Sequence, residues 1–229
     1  MNYFPFYYDI TGKAFLIIGG GRTALEKADR LRRFTQDIIV VAPETAIEGV
    51  RVIRREYREE DLALGDYVIA ATGIPQVDRR VAADCRRRGI PVNTVDDREN
   101  CDFIFPGIVK RGDLIVAVST SGTSPAYAMQ LRKEIEEILP GRIESILTRM
   151  GSLRSRMAER IGDQKIRAAA YKRILALLIA SDNSAGDEEI DAVLSEMIAA
   201  GDEEIDEVLS EMIAAGTGTQ PGQSAADHL

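Results

Sequence analysis

The chain has 229 residues, enough for one large domain or two small ones with real cores. Its apolar fraction of 45% is ordinary, and no apolar run reaches the roughly 18 residues of a membrane span. The net charge of −8 is split along the chain: residues 174–229 hold 13 acidic and no basic side chains, which leaves +5 on residues 1–173.

These numbers shape the expectations that follow. A mildly basic body suits an anionic ligand, although solvated helix faces such as Arg86-Arg87-Arg88 explain such charge equally well. No zinc, recognition-helix or aromatic-basic pattern favours nucleic acid. Cys85 and Cys101 have neither metal nor redox-motif spacing, as expected in a reducing cytoplasm. The start, Met1-Asn-Tyr-Phe-Pro-Phe-Tyr-Tyr-Asp9, lacks the basic and long apolar regions of a secretion signal. Its five aromatics read as a strand that anchors the N-terminus.

The stretch Ala14-Phe-Leu-Ile-Ile-Gly-Gly-Gly-Arg-Thr-Ala24 reads as buried strand, glycine turn and helix. The spacing Gly19-x-Gly21-x-x-Ala24 matches the dinucleotide fingerprint, with Gly20 between its first two positions. Gly19 allows the tight turn, Gly21 has no Cβ to block a pyrophosphate, and Ala24 lets the helix pack close to the strand. Backbone N–H groups of the first helical turn, at Arg22 and Thr23, would face the phosphates with the helix dipole behind them. A purely structural turn and a methyltransferase-type loop remain the alternatives.

Ile38-Ile-Val-Val-Ala42 is a second buried strand, so a βαβ unit is expected. The fingerprint normally closes this strand with an acid for the ribose hydroxyl. Here Ala42-Pro43-Glu44 stands instead, and Pro43 and Glu44 are expected to border the adenosine. Arg51 and Arg54 come too late for a 2′-phosphate pocket, so the reading leans to NAD. Further strands are expected at residues 50–53, 66–72 and 91–95, with a helix over 76–88. Thr72 either lines the cofactor cleft or starts that helix as a hydroxyl before Pro75. Asp96-Asp97 follow the fifth strand and either serve a ligand or cap the next turn.

A hairpin is then expected from residues 102–110 and 114–119 around Arg111-Gly112-Asp113. Ser119-Thr-Ser-Gly-Thr-Ser-Pro125 leads into a helix to about Leu139, with Ser124 as N-cap and Pro125 as first helical residue. Two helices over about 142–161 and 163–180 break at Gly162. Residues 186–200 and 201–215 form a tandem repeat that differs only at Ala192 and Glu207, with Ile190, Val193, Leu194, Met197 and Ile198 on one stripe. It reads as a duplicated terminal helix, or as an acidic pair that binds a partner or oligomerises. Residues 216–229, with the sole histidine His228, have the composition of a disordered tail, which leaves no histidine chemistry for the core. The fold class expected is α/β: a Rossmann-type parallel sheet domain over 1–111, a small α+β region over 112–141, a helical domain over 142–182, the acidic repeat over 183–215, and the tail.

Several motifs, in this order, resemble the precorrin-2 dehydrogenase/sirohydrochlorin ferrochelatase family, the N-terminal part of siroheme synthases. They are Tyr3-Phe-Pro, Ile18-Gly-Gly-Gly21, Val40-Val-Ala-Pro-Glu44, Ala70-Ala-Thr72, Asn93-Thr-Val-Asp-Asp97, Asp102-Phe-Ile-Phe-Pro106 and Val118-Ser-Thr-Ser-Gly-Thr-Ser-Pro-Ala126. The match covers about residues 1–140 and leaves out the repeat and tail. The resemblance implies a cytoplasmic homodimer, with residues 112–141 as dimerisation and substrate region. The implied reaction oxidises precorrin-2 to sirohydrochlorin with NAD, some members also inserting Fe2+. It implies Asp96 as general base, with Asp97 the adjacent candidate. It also implies a polycarboxylate tetrapyrrole held near Asn93, Ser119, Thr120, Ser121, Gly122 and Thr123, with Thr120 the preferred contact. No dedicated metal ligands appear. A different class, a dinucleotide sensor whose acidic C-terminus contacts a partner, would need the cofactor but no tetrapyrrole.

Overall fold

Short runs of alternating or continuous apolar residues become five strands: β1 (Phe15–Ile18), β2 (Ile38–Val41), β3 (Arg51–Ile53), β4 (Tyr67–Ala70) and β5 (Val92–Thr94). All pair in parallel, in the order β3-β2-β1-β4-β5. The computed structural model describes residues 3–200, 205–208 and 210. It comprises two compact units, one up to Phe105 and one from Pro106.

In the first unit the central strand β1 is buried on both faces, the condition of a parallel sheet covered by helices. Period-2 alternation sorts its side chains. Phe15 and Ile17 pack with Ala24, Ala28 and Leu31 of α1 (Arg22–Leu31). Leu16 and Ile18 pack with Val81, Ala82 and Cys85 of α2 (Pro75–Arg88). Helix α2 stops at Gly89, which takes the left-handed conformation at φ 66°. From β1 the chain moves outward through β2 and β3, then returns to the other side for β4 and β5. That reversal opens a crevice at the carboxyl ends of β1 and β4, where ligands of such sheets bind.

Residues 3–10 form no strand, contrary to expectation, and Phe4, Phe6, Tyr7 and Tyr8 are largely exposed. Consecutive aromatics have no period-2 face to bury, and Pro5 has no N–H for a ladder. Tyr8 nonetheless meets Tyr67 edge-on at 6.1 Å.

The second unit opens on an antiparallel hairpin, β6 (Gly107–Arg111) and β7 (Leu114–Val118). Gly112 turns it at φ 57°. Both strands belong here, so the division falls after Phe105 rather than after residue 111. The first arm is also shorter than expected. Residues 102–105 instead brace the end of β5: Asp102 Oδ2 accepts from Val92 N–H at 3.0 Å and the Phe103 carbonyl accepts from Asn93 Nδ2 at 2.8 Å.

Helix α3 (Pro125–Ile138) starts as expected, with Ser124 Oγ accepting from Tyr127 N–H at 3.3 Å. Then come α4 (Ile143–Arg160), α5 (Gln164–Ala180) and α6 (Asp187–Ala199). Asp163 caps α5 by accepting from the N–H groups of Lys165 and Ile166. These helices share one core built on Ile146, Leu153, Met157, Ile174, Leu178, Ile190, Leu194 and Met197. Ile205 and Val208 of the second repeat copy, which is helical over 205–208, join it. Ile198 does not: it is 45% exposed, one position past the buried stripe. The remaining residues of the second copy and the tail with His228 lie outside the described residues.

Candidate active site

The site is built from backbone first. Gly19 follows β1 at φ 126°, and a Cβ there would collide with the carbonyl of Ala71. A Cβ on Gly20 would collide with the carbonyl of Glu44, so the loop after β2 lies directly against the glycine turn. Gly21 is different. Its φ of −79° suits any residue, and a Cβ there would meet nothing within 4 Å. The fold itself therefore does not require glycine at this position, whereas a ligand resting on the turn would. Gly21 is also the N-cap of α1, no side chain caps that helix, and its first turn carries no acid. Free amides, the positive end of the helix and a bare backbone together fit a pyrophosphate. Arg22 stands nearly fully exposed at this end, 3.8 Å from Glu26.

Thr72, at the exit of β4, has its hydroxyl engaged locally. Its Oγ1 donates to Asp78 Oδ1 at 2.8 Å and accepts from Ile74 N–H at 3.0 Å, while its own N–H donates to the same carboxylate. This is the helix-starting role. Asp78 is buried, and the turn before α2 supplies the partners its carboxylate needs.

Beside the glycine turn, a cavity of about 250 Å³ is walled by α1 and by the segment after β5. Thr23 and Lys27 line it from the helix, and Asn93, Asp96 and Cys101 from the other side. Asp96 adopts the left-handed conformation at φ 59°, which Asp tolerates better than most residues. Its carboxylate is exposed and accepts no hydrogen bond among the described residues. Asp97 is tied into the local backbone turn. Its Oδ2 accepts from Asn100 Nδ2 at 3.0 Å and pairs with Arg79 at 3.4 Å. Those contacts, Asn100 first, hold its carboxyl below the ordinary carboxylate value. The capping role thus falls on Asp97, and Asp96 is the carboxylate left open to the cavity.

Lys27 was not singled out by sequence. It lies one helical turn beyond Thr23, a spacing that places both on one helix face and was the available signal. Its ammonium sits 4.3 Å from the centre of the Phe105 ring. Burial pushes its pKa below the ordinary lysine value, Arg30 adds to this, and Cys101, Asp96 and Glu26 oppose it.

Ser119, Thr120, Ser121, Gly122 and Thr123 lie in the second unit, between β7 and α3. Ser119 Oγ accepts from Ser121 N–H at 3.0 Å and Thr120 Oγ1 from Ser124 N–H at 3.1 Å. Each hydroxyl is thereby oriented by the turn.

Residues 6–107 match a family model described as "Putative NAD(P)-binding", and residues 111–138 match one described as "Sirohaem biosynthesis protein central". A siroheme synthase of Methylococcus capsulatus is 35% identical over 200 residues, 82% of this chain and 42% of that protein. One of Ectopseudomonas mendocina is 34% identical over 206 residues, 87% of this chain and 45% of that protein. This chain is thus similar to the siroheme synthases over most of its own length. It spans less than half the length of these curated relatives. A solved structure titled "SirC, precorrin-2 dehydrogenase" shares the fold, with a TM-score of 0.62 at 22% identity, over 86% of this chain and all of that one. The matched first unit is accordingly a nicotinamide dinucleotide-binding domain, and Thr23, two residues past Gly21, lines its cavity. No helix among the described residues is long and apolar enough to cross a membrane.

Proposed function

We propose that this protein oxidises precorrin-2 to sirohydrochlorin in siroheme biosynthesis, with NAD as hydride acceptor. The observation that carries the reading is Asp96: an unengaged carboxylate in a cavity that also touches the first turn of the dinucleotide-binding helix. A bound nicotinamide supplies the hydride acceptor; the chain's own residues do the rest. Gly19, Gly20 and Gly21 set the turn, and Arg22, Thr23 and Ala24 bring their amides to the pyrophosphate. Pro43 and Glu44 border the adenosine, with Thr72 shaping the neighbouring loop. NAD rather than NADP is favoured because no arginine follows β2 in this loop.

Oxidation of the macrocycle removes a proton along with the hydride, and Asp96 takes that proton as general base. In the second unit, the Ser119–Thr123 turn offers oriented hydroxyls for substrate carboxylates. Helix α3 presents exposed Tyr127, Met129 and Ile138, which suits the dimerisation role assigned to residues 112–141. Iron insertion is a second reading, supported by the same unpaired carboxylate, which can accept pyrrole protons; Fe2+ would then be a substrate.

The deciding experiment follows absorbance while the protein is incubated with precorrin-2 and either NAD or NADP. The expected result is NADH formation coupled to sirohydrochlorin appearance, faster with NAD. Dinucleotide binding without any spectral change in the tetrapyrrole would favour a sensor instead. Sirohydrochlorin and Fe2+ without NAD test the second reading in the same cuvette.

A further inference from the structure

Helix α1 carries more positive than negative charge, and the surplus falls on one face. Its two acids are taken: Glu26 pairs with Arg22 at 3.8 Å, and Asp29 pairs with Arg32. That leaves Lys27 and Arg30, which have no acid within ion-pair distance among the described residues and are the two cations of α1 that line the cavity beside Asp96. Three residues apart, they share a helix face, where like charges repel. Arg30 accordingly joins burial in lowering the Lys27 pKa. Water reaches both side chains, so neither is short of a hydrogen-bond partner. What the chain withholds from them is a countercharge in contact. Of the carboxylates across the cavity, Asp97 is held by Asn100 and Arg79, and Asp96 acts on Lys27 through charge alone.

We infer that Lys27 and Arg30 form a carboxylate subsite, which holds acidic side arms of the tetrapyrrole while its reacting edge meets Asp96. This rests on the precorrin-2 reading and names residues that recognise that substrate. Electrostatics calls for such a pair. Asp96 must be anionic to take a proton, and an anionic base repels a polyanionic substrate. Cations on the facing wall offset that repulsion and steer the approach. Size agrees. The cavity, at about 250 Å³, is below the ~300–1,000 Å³ typical of pockets that enclose a drug-sized molecule. It receives one edge of a macrocycle, the part that bears the carboxylates. Position separates the subsite from the pyrophosphate, whose amides belong to the first turn at Arg22 and Thr23; Lys27 and Arg30 lie one and two turns further along α1. The Lys27 ammonium is placed by Phe105, over whose ring it sits. A dinucleotide phosphate is the other source of an anionic oxygen, and separate titrations tell the two apart.

The full chain is titrated with uroporphyrin, a stable polycarboxylate tetrapyrrole, followed by fluorescence, and separately with NAD by calorimetry. Lys27→Gln and Arg30→Gln should each weaken uroporphyrin by about threefold, and the double variant by about tenfold, as two partly solvated ion pairs would. These losses should shrink in high salt, and NAD affinity should stay within about twofold of wild type. Arg154→Gln, an equal charge change on an exposed residue of α4 in the second unit, should leave uroporphyrin binding near wild type. Unchanged uroporphyrin binding in the double variant overturns the inference and leaves the dehydrogenase reading intact. Weakened NAD with uroporphyrin spared also overturns it, because the two cations would then serve the cofactor. An equal loss in Arg154→Gln does the same, because net charge and no local subsite would be at work. Failure of wild type to bind uroporphyrin while it binds NAD counts against the tetrapyrrole reading and takes this subsite with it. Glutamine suits a helix; should Lys27→Gln nonetheless misfold, Arg30→Gln at its exposed position decides alone by its own threefold loss or lack of one.

Discussion

Asp96 in the first unit and Asp191 in the second both reach solvent close to cationic side chains, yet their surroundings differ. Asp191 Oδ1 accepts from Arg156 at 2.7 Å and from Arg160 at 2.6 Å. Around it, Arg149 pairs with Asp187 and Lys165 with Asp206. The basic face of α4 and α5 and the acidic repeat thus neutralise each other within one helical unit. In the first unit the groups near Asp96 are left uncompleted: a bare glycine turn and an uncapped helix. The contrast separates charge used for holding helices together from charge kept available for a ligand. It also explains why a net charge of −8 says little about the ligand: part of the acid is matched by the chain's own arginines and lysines.

The strongest way to break this contrast is to remove the open carboxylate. Asp96→Asn, which keeps a residue that tolerates the left-handed backbone at φ 59°, should lower turnover of precorrin-2 by about 100-fold or more, as for loss of a general base, while calorimetric affinity for NAD and the thermal midpoint stay near wild type. Turnover close to wild type would show that Asp96 is no base.

Next in size is a pair of glycine substitutions that read the same turn in opposite ways. Gly20→Ala places a methyl against the Glu44 carbonyl and should destabilise the fold by about 1–3 kcal/mol, the usual cost of overpacking. Gly21→Ala meets no protein atom and should leave the unfolding midpoint unchanged while weakening dinucleotide binding. Chemical denaturation beside a binding titration checks both. If Gly21→Ala binds NAD normally, the ligand does not lie across that residue.

The smallest effect belongs to the second unit. Arg160 first, then Arg156, hold the Asp191 carboxyl below its ordinary 3.8. A carboxylate with a depressed folded-state pKa stabilises the fold above the unfolded-state value, and this stabilisation is lost as pH falls through the folded value. Asp191→Asn should therefore lower the thermal midpoint slightly at pH 7. The gap from wild type should close below about pH 4 and shrink in high salt, because the pair is solvent-screened. A gap that persisted at pH 2 would mean that Asp191 acts through packing and not charge.

Much of this was legible in the linear chain. The glycine triplet, the alternating strands, Ser124 before Pro125 and Gly162 between two helices are local signals, because turns, caps and periodicity are properties of neighbouring residues. Thr72 was ambiguous for a related reason: a hydroxyl before a proline serves a helix start or a cleft, and only the nearness of Asp78 shows where its bonds go. The N-terminal aromatics were misread because composition stood in for a buried face.

From sequence alone came the parallel order of strands and helices, the dinucleotide turn and the pair Asp96-Asp97, all written in contiguous patterns. Tertiary structure alone separated the two aspartates, since Arg79 lies 18 residues from Asp97 and no local pattern links them. It also brought Lys27 to face Asn93 and Asp96 across one cavity. A cavity is a relation among segments far apart in the chain, and spacing within any one segment carries no record of it.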